Sequence, residues 1–396
     1  MTWLGLKTLA FIPLTRSNVP SDVPPQDWTD QIMQRVFFNP ATDNNGQPIP
    51  GTDRSVRAYI HTVSSGLADL DVVVQKPQAV MGGGTDGKNV PPDVLEATMG
   101  NQLRANGFDG AAIVMLGGPR GGTTLGYWSR FCMSDDVGHW VGELVHQPNL
   151  SNLPDLWDFN QTNPGEDMGT FDQESTGYNA THFSAWTKRL IKWLDPSTVP
   201  LHIGRVADYA LHANSLIQPP PAGRVAAVQI GQQVPYLMVE GRLKADQFDI
   251  NIKNEGVIVY QVQTSDPTGQ PQNNMPQLNL LTKTALTAGQ SFTAANGVTV
   301  QVNNPVAFPA GGFSITINDP VNAVAFVPDV TELHENNAST IISNAGFIPK
   351  ISIPQKYAGS PASSLLVQSQ SPLGNTIATL GSTVTLTMVG GKIDPR

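Results

Sequence analysis

The spacing of apolar residues divides the chain into three parts with different periodicities. In the first part, apolar side chains recur at helical spacing in four segments, residues 55–66, 94–106, 137–146 and 181–194. A strand is predicted at 70–74, and a continuous apolar run typical of a buried strand lies at 110–116. Residues 1–215 are therefore predicted to form a mixed α/β unit.

The periodicity changes to alternation after the consecutive prolines Pro219, Pro220 and Pro221. Short alternating segments bounded by Gly, Asn and Pro follow, at 226–230, 235–241, 256–263, 298–302 and 313–317. Short strands at this spacing are typical of an all-β unit. Residues 222–320 are predicted to form a sandwich-like domain.

A third unit is predicted over residues 327–391. It begins with the sequence VPDV and continues with a helical stretch at 336–345, which Gly346 is suited to end as a C-terminal cap. Two strands are predicted after this helix, at 365–369 and 383–389. The whole chain is therefore assigned to the α+β class.

Composition narrows the classes of function. The net charge of the chain is -9, which argues against an electrostatic nucleic-acid binder, because phosphate recognition needs clustered Lys and Arg. The single cysteine, Cys132, excludes an intrachain disulfide, and the chain has no run of 18 apolar residues that would predict a membrane span. Many small polar residues and only 14% charged residues favour an extracellular or cell-surface location. The segment Met1 to Arg16 does not look like a secretory signal, so the export route stays open.

Several segments in consistent order carry a family resemblance. They are SVRAYIHTVSSGLADL (55–70), FDGAAIVMLGG (108–118), LPDLWD (153–158), HFSAWTKRLIKWLDP (182–196), YLMVEGRLKADQFD (236–249), GVIVYQV (256–262) and ALTAGQSF (285–292). Together they resemble the immune-inhibitor-A-like secreted zinc metallopeptidases over roughly residues 25–318. The resemblance implies a metzincin-like peptidase domain at 1–215, followed by the sandwich-like domain.

The third unit resembles a PASTA domain. The segments that carry this resemblance are VPDV (327–330), NAGF (344–347), QSQSPLGNTI (368–377) and GSTVTLTM (381–388). It implies a small β-α-β-β module. Such modules bind cell-wall peptidoglycan or serve as spacers and assembly modules, so the expected partner is a cell-wall or surface polymer, or a second copy of the chain.

The family's zinc motif, HExxHxxGxxD, is only partly present. Two His residues four positions apart on a helix hold the metal, and the Glu between them acts as general base. Here residues 142–146 read GELVH, so Glu143 and His146 are in place but Gly142 replaces the first ligand. Asp155, the implied third ligand, lies nine positions after His146 instead of six. The family's methionine turn reads FDQE at 171–174.

His139 is the remaining candidate for a substitute ligand. His139, Glu143 and His146 share one helical face at i, i+4 and i+7. The two His residues are nevertheless separated by about 10.5 Å along a helix axis, which leaves little room for both on one ion. A metal site remodelled from His139, Glu143, His146 and Asp155 stays open beside the simpler interpretation, a helix that lost its metal.

Other residues favour structural roles. Glu240 and Arg242 lie on one strand face at i and i+2 and are expected to pair, and Trp186 and Trp193 are expected in the core. His182 is expected to open the 181–194 helix as a capping or packing residue.

The sequence therefore favours a non-catalytic, peptidase-derived extracellular protein that binds or assembles. No cofactor is expected, although zinc stays possible. The alternative is an active zinc metalloendopeptidase with an altered ligand set, in which Glu143 is the general base.

Overall fold

The computed structural model describes residues 2–19, 26–37, 42–47, 49, 53–82, 92–115, 123–153, 168–176, 180–263, 278–303, 311–320, 323–361 and 364–390. Within these residues the chain forms mixed sheets with short helices, which confirms the predicted α+β class.

The N-terminal part is built on a six-stranded sheet. Its strands are β1 (Gly5–Arg16), β2 (Ala68–Val74), β3 (Gln78–Val80), β4 (Gly110–Met115), β5 (Thr123–Leu125) and β6 (Trp128–Cys132). The order is β2-β1-β4-β6-β5, and β3 pairs with the far end of β1. All the pairs are parallel except β5 with β6, so an antiparallel strand forms one edge.

Strand β4 and the middle of β1 are buried on both faces of the sheet, as continuous apolar strands require. Alternate residues of β1 and β4 point to opposite sides: Phe11 and Val114 join one core, whereas Ile12 and Ile113 join another. Gly110 at the start of β4 is needed for close packing, because a Cβ there would meet Oε1 of Gln147 at 2.0 Å.

Helices cover the two faces of the sheet. One face carries α1 (Trp28–Phe37), α2 (Val56–Val63) and α5 (Val137–Val145), which share its core. The other carries α3 (Asp93–Leu95) and α4 (Asn101–Ala105), joined by a π-helical turn, Glu96–Gly100. The predicted helical segments at 55–66, 94–106 and 137–146 and the strands at 70–74 and 110–116 are confirmed.

The predicted helix at 181–194 is wrong in extent. A short helix, α6 (Gln173–Thr176), precedes it, and α7 covers only Ala185–Leu190. Ser184 caps α7, since its hydroxyl accepts the Thr187 amide, and Lys192 then turns the chain with a φ of 64°. As a result the two tryptophans, both buried as expected, lie in different cores: Trp193 beside the N-terminal sheet and Trp186 beside the β unit.

The middle part contains two four-stranded antiparallel sheets. One sheet has the order β11-β10-β9-β8 and the other β12-β13-β14-β7. The strands are β7 (Val206–His212), β8 (Ala227–Ile230), β9 (Tyr236–Arg242), β10 (Gly256–Val262), β11 (Leu278–Leu280), β12 (Ser291–Thr293), β13 (Thr299–Val302) and β14 (Gly312–Asn318). A shared apolar core between the sheets includes Val239 and Ile315. Each strand predicted from alternation is present. Strand β7 is an additional strand, which lies before Pro219 and so before the start predicted for this unit.

The C-terminal part has a core of its own, which includes Ile342 and Leu386. Its elements are β15 (Val324–Phe326), α8 (Glu335–Asn344), β16 (Ile348–Ser352), β17 (Leu365–Ser371), β18 (Ile377–Thr379) and β19 (Thr383–Gly390). The sheet order is β16-β19-β17, and β15 pairs with β18. Gly346 follows α8 with a φ of 86°, so the helix and both strands predicted here are confirmed.

The remaining helical turns of the described residues are the 3₁₀ turns Gly169–Phe171, Pro196–Thr198, Asp249–Asn251 and Gln355–Tyr357.

Candidate functional site

Helix α5 presents the candidate residues on its less buried side. Asp136 caps the helix by accepting the amide of His139 at 3.2 Å. The opposite side is anchored in the core by Trp140, Val141, Leu144 and Val145. This division leaves His139, Gly142, Glu143 and His146 together on the partly exposed side.

Glu143 faces the antiparallel edge strand β5. The hydroxyl of Thr124 lies 2.6 Å from Oε2 of Glu143, so it can donate to the carboxylate. The backbone oxygen of Glu143 accepts a hydrogen bond from Oγ of Ser129 at 2.8 Å. These contacts fix the carboxylate beside the sheet edge.

Both ring nitrogens of His146 face acceptors. Nδ1 lies 2.8 Å from the backbone oxygen of Leu153, and Nε2 lies 3.2 Å from Oε2 of Glu174. A neutral imidazole has only one N–H, so its other nitrogen would turn a lone pair toward an oxygen. The doubly protonated imidazolium satisfies both contacts.

The electrostatics favour the same protonation state. Burial opposes a charged ring, but the Glu174 carboxylate outweighs it, helped by Glu143 and Leu153, and raises the pKa of His146 to about 10. Metal binding requires the neutral ring, because the metal takes a nitrogen lone pair. In this arrangement a proton and the Glu174 carboxylate occupy the side of His146 on which a metal would bind.

Gly142 leaves space that Glu174 fills. A Cβ built on Gly142 meets one atom within 4 Å, Oε1 of Glu174 at 3.6 Å. Glu174 itself is held at the start of α6, where its amide donates to Oδ1 of Asp172 at 3.0 Å. The carboxylate of Glu174 thus lies between Gly142 and His146.

The other predicted ligands are placed differently. His139 is paired with Asp136, with 3.5 Å between Nδ1 and Oδ1; burial opposes its charge, but Asp136 outweighs burial and raises the pKa of His139. Asp155 lies outside the described residues. Among the residues that are described, no group of three His, Cys, Asp or Glu side chains is placed to hold a metal ion.

Glu174 is the site residue that the sequence analysis did not identify as a partner. In the sequence it stands out only through the resemblance described above, which would place a methionine at this position. A carboxylate that replaces an apolar residue next to a candidate ligand is a usable signal, because a buried charge needs a partner.

A second charged cluster lies where α7 meets β9. Arg242 bonds Oδ1 of Asp249 at 2.7 Å and Oε1 of Glu240 at 3.3 Å, and all three side chains are fully buried. The predicted pairing of Glu240 with Arg242 is confirmed. Glu240 also accepts the amide of Ala185 at 2.6 Å and the hydroxyl of Tyr260 at 3.0 Å, which ties α7 to the sheet.

His182 belongs to this cluster and precedes α7. Its Nε2 lies 2.7 Å from Asp246, and its Nδ1 lies 3.0 Å from Nζ of Lys188. Lys188 also donates to the backbone oxygen of Asn214 at 2.8 Å. Burial lowers the pKa of His182 and lowers that of Lys188 to about 8. The neutral ring therefore accepts from Lys188 and donates to Asp246, which is the role of a packing residue.

Comparison with known proteins gives no independent assignment. No family model matches the chain, and a search of curated proteins finds no match. Among the helices of the described residues, none combines the length and the apolar character needed to cross a membrane.

Proposed function

We propose that the chain is a non-catalytic, extracellular binding or assembly protein that keeps a metallopeptidase-like scaffold. The observation that carries this proposal is that both ring nitrogens of His146 already have hydrogen-bond partners. Nδ1 faces the Leu153 carbonyl and Nε2 faces Glu174, and the doubly protonated ring that these contacts favour has no lone pair for a metal. Without a metal, Glu143 has no metal-bound water to deprotonate.

The substitutions at 142 and 174 support each other. Gly142 removes one metal ligand, and Glu174 supplies a negative charge that compensates the proton on His146. A buried or half-buried charge that loses its counter-ion is costly, so the Glu174 carboxylate replaces part of the stabilisation that a metal would give to this helix.

The experiment is metal analysis of the full chain, purified without chelator and then incubated with zinc. We expect no stoichiometric zinc, no peptidase activity, and the same result in Glu143→Ala and His146→Ala. Zinc bound at one ion per chain and lost in both variants would instead support the active zinc metalloendopeptidase. The observation that favours this second function is that Glu143 and His146 share the face of α5 beside the sheet edge.

Binding or assembly is assigned to the C-terminal unit. Its apolar core is drawn from residues 325–388 alone, so deleting residues 327–396 removes this core and leaves the other cores intact. We expect the full chain to sediment with peptidoglycan or to self-associate, and the deletion variant to do neither while keeping its thermal transition. Unchanged sedimentation and self-association after the deletion would remove this role.

A further inference from the structure

A pocket away from the candidate residues on α5 has the size and lining of a ligand site. It lies between the end of α7 and the turn that joins β8 to β9, with a volume of about 930 Å³. Small-molecule sites usually measure about 300–1,000 Å³ and combine apolar walls with a few polar groups. The apolar walls here come from Trp186, Leu190, Pro196 and Val234.

The hydroxyl of Tyr236 is poised to donate into this pocket. Its oxygen lies 3.0 Å from Nε1 of Trp186 and 3.1 Å from Nη2 of Arg189. Both of these groups are obligate donors, so the Tyr236 oxygen accepts from both. Its own O–H is left to donate, and within the described part of the chain it has no acceptor.

Arg189 brings a positive charge that neutral groups hold in place. Besides Tyr236, its guanidinium bonds Oε1 of Gln229 at 3.1 Å, and Gln229 is in turn fixed by the carbonyl of Gly231 at 2.9 Å. No carboxylate forms an ion pair with Arg189 among the residues that the structure covers. Several of its N–H groups are therefore available to a ligand.

The net charge of the lining favours an anion. Lys192 adds a second cation to the lining, whereas the chain as a whole carries a net charge of -9. The acidic residue of the lining, Asp195, already uses Oδ1 to accept the Ser197 amide at 2.8 Å in the 3₁₀ turn Pro196–Thr198.

We propose that this pocket binds the carboxylate of a ligand with an apolar body, the chemistry of a peptide C-terminus or an N-acylated amino acid. A carboxylate accepts two parallel hydrogen bonds from a guanidinium and can also accept the Tyr236 O–H. The apolar body packs against Trp186 and Leu190. The proposal does not depend on the state of His146.

The test is calorimetric titration of the full chain with N-acetyl-L-leucine, its primary amide, and a tripeptide that ends in leucine. We expect the acid to bind at least about tenfold more tightly than the amide, because hydrogen bonds to charged groups contribute about 1.5–3 kcal/mol. Tighter binding of the tripeptide than of the small acid would identify a peptide end as the ligand; equal binding would identify the small acid.

Two variants locate the site. Arg189→Gln is expected to reduce affinity for the acid about tenfold, and Lys192→Gln, at an exposed position, to reduce it by a smaller factor. Lys350→Gln removes an exposed positive charge in the C-terminal unit and serves as the matched control, with unchanged binding expected. Equal affinity for acid and amide, no binding of either, or binding that neither pocket variant weakens would overturn the proposal.

Discussion

Two clusters of this molecule pair a cation with a carboxylate, yet they differ in burial. Beside α5 the side chain of His146 is 20% exposed and that of Glu174 4%, whereas Arg242, Glu240 and Asp249 at the junction of α7 and β9 are completely buried. The first is a pair of His146 and Glu174 on the partly exposed side of α5. The second cluster fastens one part of the fold to another.

The comparison teaches where such a protein can change its chemistry without losing its fold. When the α5 pair loses one partner, water can reach the His146 ring and solvate part of the charge left behind, so the cost is smaller than at a fully buried pair. A fully buried pair has no such alternative, and removal of one partner leaves an uncompensated charge in the interior. A change at the α5 pair is therefore expected to leave the fold intact more readily than a change at the junction.

The largest effect is expected from Arg242→Met. This change leaves Asp249 and Glu240 buried without their cation, and breaking a buried pair in this way costs about 3–5 kcal/mol. Urea unfolding of the variant measures the loss. The matched control is Arg57→Met, which breaks a surface pair with Asp69 and is expected to cost less than about 1 kcal/mol. Equal losses in the two variants would mean that the buried cluster does not hold the junction.

The fold could be predicted where the apolar pattern is strong. Strands β9 and β10 alternate or run apolar between turn residues, and α2 begins at a capping serine, Ser55. Strand β1 could not be predicted in the same way, because Pro13 lies in its middle, where a missing N–H removes a ladder hydrogen bond. The structure nevertheless places β1 in the interior of the sheet, where it pairs with β2 on one side and β4 on the other.

The candidate site could be predicted only up to its residues on α5. Helical spacing places Glu143 and His146 on one face from the sequence alone. The contact of His146 with Glu174 could not be predicted, because it depends on how α6 packs against α5 in the folded chain. The short length of α7 has a local cause. Ser184 caps its start, and Lys192 adopts a left-handed conformation just after its end.

Gly142→His places an imidazole where the proposed metallopeptidase-like scaffold would have its first metal ligand. A side chain at 142 points toward Glu174, so the variant places two imidazoles and a carboxylate around one point. We expect it to bind one zinc per chain with displacement of the proton from His146. At a free zinc concentration a hundred times the dissociation constant, the bound metal stabilises the fold by about 2.7 kcal/mol, which thermal unfolding with and without zinc detects.

The control for this variant is Gly142→Ala, which fills the same space without a ligand and should gain no zinc. Equal zinc uptake by Gly142→His and Gly142→Ala, or no uptake by either, would mean that the space between residue 142 and Glu174 cannot hold a metal ion. Zinc uptake by Gly142→His alone would mean that His146 and Glu174 are still placed to bind zinc once a second imidazole is supplied at position 142.

The smallest effect is expected from Glu174→Gln, and its sign depends on pH. The folded pKa of His146 is about 10, above its ordinary value of 6.5, so the imidazolium stabilises the fold fully below pH 6.5 and loses this contribution as the pH rises toward 10. Glu174→Gln should cost about 1.5–3 kcal/mol at pH 6, the range for a hydrogen bond to a charged group, and almost nothing well above pH 10. Urea unfolding across this pH range measures the difference, and ¹³C NMR of the His146 ring measures its pKa directly.

Glu174→Asp is the matched control that keeps the charge and should retain part of the pH dependence. A constant difference between wild type and Glu174→Gln at all pH values would show that Glu174 stabilises α5 by packing and not by holding a proton on His146.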